Sequence, residues 1–315
     1  MTEPIQCAIL GSGVAGLSAA VYAARDGLGV IIAGGPLEGG LLTRTGTVEN
    51  FPGFPEGITG FELISRMRRQ AERFGARFLH ASAEWIDREA GGIMRVHLSG
   101  GTVLDAETVI LATGAAPRML GLEAEQRLLG HGVSVCANCD APFFRGVPVA
   151  VAGGGDTALE EAVMLSRFAA EVHVVHRRNR PTASRVLIDR AESAANIVWH
   201  PESEITGLLG EDVLTGIRIR DRNTRLERIL DCAGCFIALG HIPETRLVGG
   251  LAELTESGCV RCFGGTARTS VPGLFAAGDC ADCRYRQAVT AAGTGAAAAL
   301  DAAEYLRRKH PESGF

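Results

Sequence analysis

The sequence predicts an α/β protein built as two three-layer domains, the second inserted into the first, and three observations carry that expectation. At roughly 150 residues per domain, 315 residues make about two domains, each large enough to bury its own core. An apolar strand, a glycine turn and an alanine-rich helix follow one another twice. The two ends of the chain each carry part of one ligand site, so the first domain is expected as 1–115 plus 245–315 and the inserted one as 116–244.

The first strand is expected over 6–10, ahead of Gly11-x-Gly13-x-x-Gly16 and a helix over 17–24. The first glycine permits the tight turn, the second lets backbone approach a pyrophosphate, and the third lets helix pack on strand with its N-terminus aimed at the phosphates. The same order recurs as a strand over 147–152, Gly153-x-Gly155-x-x-Ala158 and a helix over 159–168. Two Rossmann-like, nucleotide-binding domains in one chain follow from that duplication.

The two sites differ at the end of their second strands, where the ribose is read. Strand 171–175 ends in His176-Arg177-Arg178, and guanidinium groups there suit a 2′-phosphate, which predicts NADPH. Strand 30–32 ends in Ala33-Gly34-Gly35 without an acid, which argues against NAD and leaves the first site for FAD. Far along the chain, the apolar run before Gly278-Asp279 delivers a carboxylate able to accept hydrogen bonds from a ribityl chain and from backbone amides. Hinges between the domains are expected at Ala112-Thr113-Gly114-Ala115 and over 240–245.

Composition narrows the function classes. The net charge of −5 offers no basic field for phosphate backbones, so no nucleic-acid partner is expected. No apolar run is long enough to span a membrane. The start, Met1-Thr2-Glu3-Pro4, lacks the basic and apolar regions of a signal peptide, which predicts a cytoplasmic protein.

Nine cysteines, an odd count without a secretion signal, argue against a structural disulfide framework. Eight of them form C-x-x-C pairs: Cys136/Cys139, Cys232/Cys235, Cys259/Cys262 and Cys280/Cys283. The first pair lies just ahead of the second glycine motif. Two thiols at this spacing can close a small disulfide ring in which one attacks an external disulfide and the other resolves it. Asp140 beside them can give or take the proton that two-electron disulfide chemistry requires. Half a zinc site, or plain packing, is the competing reading of a lone C-x-x-C, and two nucleotide motifs in the same chain count against it.

Together these residues resemble the low-molecular-weight thioredoxin reductases, over nearly the whole chain. The resemblance is carried by Val48-Glu49-Asn50-Phe51-Pro52-Gly53-Phe54-Pro55-Glu56-Gly57, the redox pair with Asp140, and Gly153-Gly154-Gly155-Asp156-Thr157-Ala158. His176-Arg177-Arg178, and Gly278-Asp279 followed by Tyr285-Arg286-Gln287-Ala288, complete it. It implies a thioredoxin-disulfide reductase in which a hydride passes from NADPH to FAD and the electrons then open a Cys136–Cys139 disulfide, with Asp140 managing the proton. Cys139 is implied as the thiol nearer the flavin and Cys136 as the one that attacks oxidised thioredoxin. A homodimer is implied too, its nucleotide domain swinging as a rigid body about the two hinges.

For FAD the resemblance assigns Gly11, Ser12, Gly13, Ala15 and Gly16, then Gly40, Leu41 and Asn50, then Ala112, Thr113 and Gly114. Gly278, Asp279, Arg286, Gln287 and Ala288 complete that set. For NADPH it assigns Gly153, Gly155, Asp156, Thr157, His176, Arg177 and Arg178, and no residue is assigned to a metal. Phe143 and Phe144, just past the redox pair, are read either as an apolar docking surface for thioredoxin or as core.

The chain departs from the family pattern in places. Thr182 stands where the family carries a third arginine, which predicts a weaker NADPH preference unless Arg180 substitutes. Leu41 replaces a glutamine beside the flavin, Ala141 a glycine and Asn138 a threonine. Cys232/Cys235 and Cys259/Cys262 are expected on strands as small buried hydrophobes rather than zinc ligands, and Cys280/Cys283 as a possible second redox pair. The competing functions are the same relay fed by a ferredoxin-type donor, a flavin-dependent dithiol oxidase, and a zinc-binding or redox-sensing non-enzyme.

Overall fold

The computed structural model describes residues 4–44, 47–89 and 91–312; residues 1–3, on which the leader reading partly rests, lie outside the described residues. The chain is an α/β protein that splits into two compact units, Met1–Ala116 with Ile242–Phe315, and Pro117–His241.

In the first unit, Arg77–Leu79, Val30–Ala33, Ile5–Leu10 and Val103–Leu111 lie side by side in parallel. The long strand Val103–Leu111 serves two partners in succession. Its first half pairs antiparallel with Met94–Leu98 and its second half parallel with Leu274–Ala276, so the strand leading to Gly278-Asp279 enters the same sheet as the first glycine motif. Alternation along Ile5–Leu10 then builds both cores: Cys7 and Ile9 join the helical side, Ala8 and Leu10 the side of Met94, Val96 and Leu98. The helices Val14–Arg25 and Ala288–Lys309 approach closely because they are rich in alanine and glycine; a Cβ on Gly295 would stand 2.1 Å from the Ala15 carbonyl oxygen.

The second unit repeats this plan. Val133–Ser134, Gly234–Ile237, Pro148–Ala152, Glu171–Val175 and Ile197–His200 form a parallel sheet. Val149 and Val151 pack on the helix Asp156–Leu165, while Ala150 and Ala152 face the antiparallel meander Ser203–Leu209, Gly216–Asp221 and Glu227–Asp231. Both helices that follow a glycine turn begin earlier than the apolar pattern suggests, at Val14 and Asp156, because Gly13 and Gly155 are themselves the N-caps. The second ends at Leu165, where Phe168 and Ala169 N–H turn back onto the Leu165 carbonyl.

Three cysteine placements differ from expectation. Cys259 and Cys262 lie in an irregular loop, where an isolated bridge joins Leu254 to Val260, and Cys232 falls just beyond the strand Glu227–Asp231; of these four, Cys235 alone is on a strand, Gly234–Ile237. Short apolar runs with cysteine read alike in a strand and in a buried loop, which is why the pattern misled.

Candidate active site

The redox pair is disulfide-bonded: Cys136 and Cys139, with Cα atoms 5.4 Å apart, open the short helix Ala137–Asp140. Turning that helix directly after the strand Val133–Ser134 brings Ser134 back onto it. The Ser134 hydroxyl donates to Asp140 Oδ2 at 2.6 Å and accepts the Cys136 N–H at 3.1 Å. Burial pushes the Asp140 carboxyl above its ordinary range, and the Ser134 hydrogen bond opposes that shift in part.

A second acid stands beside the pair. Glu161 Oε1 accepts the Ala137 N–H at 3.4 Å, Oε2 is buried without a hydrogen-bond partner, and burial drives the group up to about 7, with Asp140 and Glu160 adding to the shift. Ser134 and Glu161 were missed from the sequence. For Glu161 a signal existed: it shares the helical face of Ala158, Ala162 and Leu165, so a carboxylate interrupts an otherwise apolar stripe.

In the same unit, a cavity of about 180 Å³ is lined by Gly153, Gly154, His176, Arg177 and Arg178, and also by Arg180, Thr182 and Glu204. Gly153 needs the left-handed region, φ +144°, and a Cβ there would stand 2.5 Å from the Ala238 carbonyl oxygen. Thr182 is fixed to the glycine turn, its N–H on the Gly154 carbonyl at 2.7 Å. Glu204 gathers Arg220, hydrogen-bonded at 2.6 Å, with Arg177 and Arg222 each at 3.9 Å, and Arg220 foremost holds its carboxyl below the usual range. Asp156 and Thr157 are exposed and do not line this cavity; Asp156 Oδ1 accepts the Ser184 N–H instead.

In the first unit several of the sequence-assigned residues meet. Gly11, at φ +110°, lies against the Ala112 carbonyl, which a Cβ would meet at 2.3 Å. A Cβ on Gly40 would come within 3.3 Å of the Gly13 Cα, and one on Gly278 within 2.8 Å of the Ala15 Cβ. Ser12 is buried, donating to the Gly34 carbonyl and accepting the Gly39 N–H, both at 2.9 Å. Asn50 Nδ2 donates to Gln287 Oε1 at 3.2 Å, and Thr113 Oγ1 to the Glu244 carbonyl at 2.5 Å. Gln287 caps the helix that Ala288 begins. Leu41 opens the 3₁₀ turn Leu41–Arg44 and is exposed.

Gly13 carries no side-chain cap and the first turn of Val14–Arg25 holds no acid, so its N–H groups can receive a pyrophosphate. Burial raises the Asp279 carboxyl to about 6, with Arg286 opposing and Asp282 adding. The second strand of this site, Val30–Ala33, ends without an acid, but one returns to it from the loop beyond. Glu38 folds back against Gly34, held by Arg68 Nη1 at 3.2 Å and by His80. A loop excursion hides it, since it stands five residues beyond Ala33 in sequence.

The profile of the pyridine nucleotide-disulphide oxidoreductases matches residues 5–295. The chain belongs to that family. Membership implies a flavin and a pyridine nucleotide. This oxidoreductase is 46% identical to a thioredoxin reductase of Mycolicibacterium smegmatis over 298 residues, 95% of each chain. It is 45% identical to a bifunctional thioredoxin reductase/thioredoxin of Mycobacterium leprae, covering 95% of this chain and 65% of that one. The crystal structure of thioredoxin reductase from Streptococcus pyogenes superposes with a TM-score of 0.90 at 35% identity, covering 98% of this chain and 100% of the other.

The remaining cysteines of the oxidoreductase depart from the sequence reading. Cys259 is not simply a buried hydrophobe, and Cys283 is not paired with Cys280: the two form a disulfide of their own, 24 residues apart. Spacing cannot reveal so long a pairing. The spacing considered for zinc joins Cys232/Cys235 to Cys259/Cys262, which belong to different units. Of the two phenylalanines after the redox pair, Phe143 is 54% exposed, whereas Phe144 packs edge-on against Phe236 with ring centroids 5.2 Å apart. Among the described residues no helix is long and apolar enough to cross a membrane.

Proposed function

We propose that this oxidoreductase is a thioredoxin-disulfide reductase that holds FAD in its first unit and NADPH in its second, working as a homodimer in the cytoplasm. The observation that carries the reading is the Cys136–Cys139 disulfide with a half-buried Asp140 at its side, whose carboxyl burial pushes above its ordinary range. The relatives favour it over a ferredoxin-fed relay or a dithiol oxidase, since they are named thioredoxin reductases. One relative joins thioredoxin to the reductase in a single name, which supports the partner.

Bound flavin and nicotinamide together supply two electrons to the disulfide. The chain's residues do the rest. Asp140, its carboxyl raised by burial and oriented by Ser134, is placed to give a proton to sulfur as the Cys136–Cys139 bond opens. Cys136 Sγ then attacks a sulfur of the partner disulfide, forming a mixed disulfide and expelling the other partner thiolate. Cys139 Sγ displaces the partner from Cys136, releasing a dithiol and restoring the Cys136–Cys139 bond.

Arg177, Arg178 and Arg180 around the cavity would pair with a 2′-phosphate, with Arg180 standing in for the arginine that Thr182 replaces. In the first unit, the N–H groups after Gly13 would hold the pyrophosphate, Glu38 a ribose, and Asp279 the ribityl chain. Anaerobic titration of the flavin absorbance tests the donor: bleaching by NADPH at concentrations where NADH is slow supports the reading, and bleaching by neither contradicts it.

A further inference from the structure

The Cys259–Cys283 disulfide, with Cα atoms 6.1 Å apart, closes the loop that carries Gly278 and Asp279. Its two sulfurs stand in different surroundings. Cys259 is fully buried, with Sγ 3.9 Å from the Asp279 carbonyl oxygen, and the neighbouring Val260 N–H donates to the Cys280 carbonyl at 2.8 Å. Cys283 is only partly buried and accepts a hydrogen bond from the exposed Ser257 hydroxyl at 3.1 Å. The two other cysteines nearby take no part: Cys280 Sγ is buried on the Leu111 and Ala277 carbonyls at 3.4 and 3.2 Å, and burial pushes the Cys262 thiol up to about 11.

What the bond fixes is the turn before the last helix. Arg286 sits there at φ +50°, a conformation that a non-glycine residue keeps only when its surroundings over-determine it. Asp282 supplies part of that restraint, accepting the N–H groups of Arg284 and Tyr285 at 2.9 Å and of Arg286 at 3.3 Å. The capping box of Gln287 and Thr290 supplies another part from the helix side. Cys283 adds a covalent tie next to Asp282, anchoring the turn to the loop that ends at Cys259.

We propose that Cys259–Cys283 is a second redox-active disulfide, opened by a protein dithiol of the kind this enzyme produces, and that opening it loosens the Asp282–Gln287 turn and weakens flavin retention. This deepens the function proposed above and rests on it for the identity of the cofactor. A thiolate of the dithiol attacks the accessible Cys283 Sγ, breaking the bond to Cys259, which leaves as thiolate, takes a proton and becomes a thiol facing the Asp279 carbonyl. The second thiol of the reagent attacks its own mixed-disulfide sulfur and displaces Cys283 as thiolate, which the Ser257 hydroxyl stabilises until it too is protonated. The dithiol loses two electrons and two protons to become a disulfide, and Cys259 and Cys283 gain both.

The test uses the flavin-loaded protein carrying Cys136→Ser and Cys139→Ser, so that only this disulfide can be opened and the outcome does not depend on the relay. Alkylation, digestion without reductant and mass spectrometry quantify the linked peptide before and after pre-reduced thioredoxin, with dithiothreitol as a second reagent, while flavin release is followed by fluorescence. The expected result is a linked peptide that both reagents remove, with flavin release rising about tenfold, and the same fast release without reductant when Cys283→Ser is added. Cys262→Ser should keep the slow release. If Cys283→Ser fails to fold, the reduction arm decides. Absence of the linked peptide in oxidised protein, a link that survives thioredoxin, or reduction without faster flavin release each overturns the proposal. Failure of the parent reading shows separately, as wild-type protein that reduces no thioredoxin.

Discussion

The Ser134 hydroxyl links Asp140 Oδ2, at 2.6 Å, to the Cys136 N–H, at 3.1 Å, so one short side chain ties the acid to the backbone of the disulfide beside it. Donating to the carboxylate, it favours the ionised acid and limits how far burial can raise the Asp140 pKa. Ser134→Ala should let that pKa climb further. A hydrogen bond to a charged group is worth about 1.5–3 kcal/mol, so the alkaline limit of thioredoxin turnover should move up by about one pH unit or more. The kcat/KM profile against pH checks this, and an unmoved profile would remove Asp140 from the proton transfer.

Glu161 makes stability fall as pH rises. Its folded pKa, about 7, lies above the ordinary 4.5, so the neutral form favours the fold. The contribution is fully present below the unfolded pKa and is lost as pH climbs through the folded one, on the order of 3 kcal/mol across that window. Denaturant midpoints at acid and neutral-to-alkaline pH should show the loss in the wild type and little of it in Glu161→Gln. Parallel curves for the two proteins would contradict the assignment.

Arg180 and Thr182 line one cavity with Arg177 and Arg178. If Arg180 contacts a 2′-phosphate, Arg180→Ala should raise the KM for NADPH by about ten- to a hundred-fold while leaving that for NADH nearly unchanged. Thr182→Arg should widen the preference. Equal effects of Arg180→Ala on both nucleotides would show a contact elsewhere on the ligand.

Phe143 and Phe144 separate docking from packing. Phe144→Ala removes a ring packed on Phe236 and should destabilise the second unit by about 3–5 kcal/mol. Phe143→Ala takes away an exposed ring, so the unfolding midpoint should stay put while the KM for thioredoxin rises. A Phe143→Ala enzyme with an unaltered KM would place thioredoxin elsewhere.

Much of this was legible because its signals are local. Strand, glycine turn and helix are contiguous around Gly11 and Gly153, and Cys136, Cys139 and Asp140 fall within a single turn. What escaped depends on residues that only folding brings together. Glu38 returns to Gly34 around a loop, Ser134 reaches Asp140 because the strand ends in a tight turn, and Cys259 finds Cys283 across the segment that holds Asp279. Glu161 was hidden differently: in a surface-rich Glu160-Glu161 pair, only the helical phase reveals which of the two faces inward.

Cys136 and Cys139 are proposed to carry the electrons to thioredoxin. Thioredoxin-dependent oxidation of NADPH by the wild type, Cys136→Ser and Cys139→Ser, each loaded with flavin, tests it most directly. Rapid turnover by the wild type, with both variants inactive yet still bleached by NADPH, is the result expected. A serine variant that keeps wild-type turnover would contradict the relay.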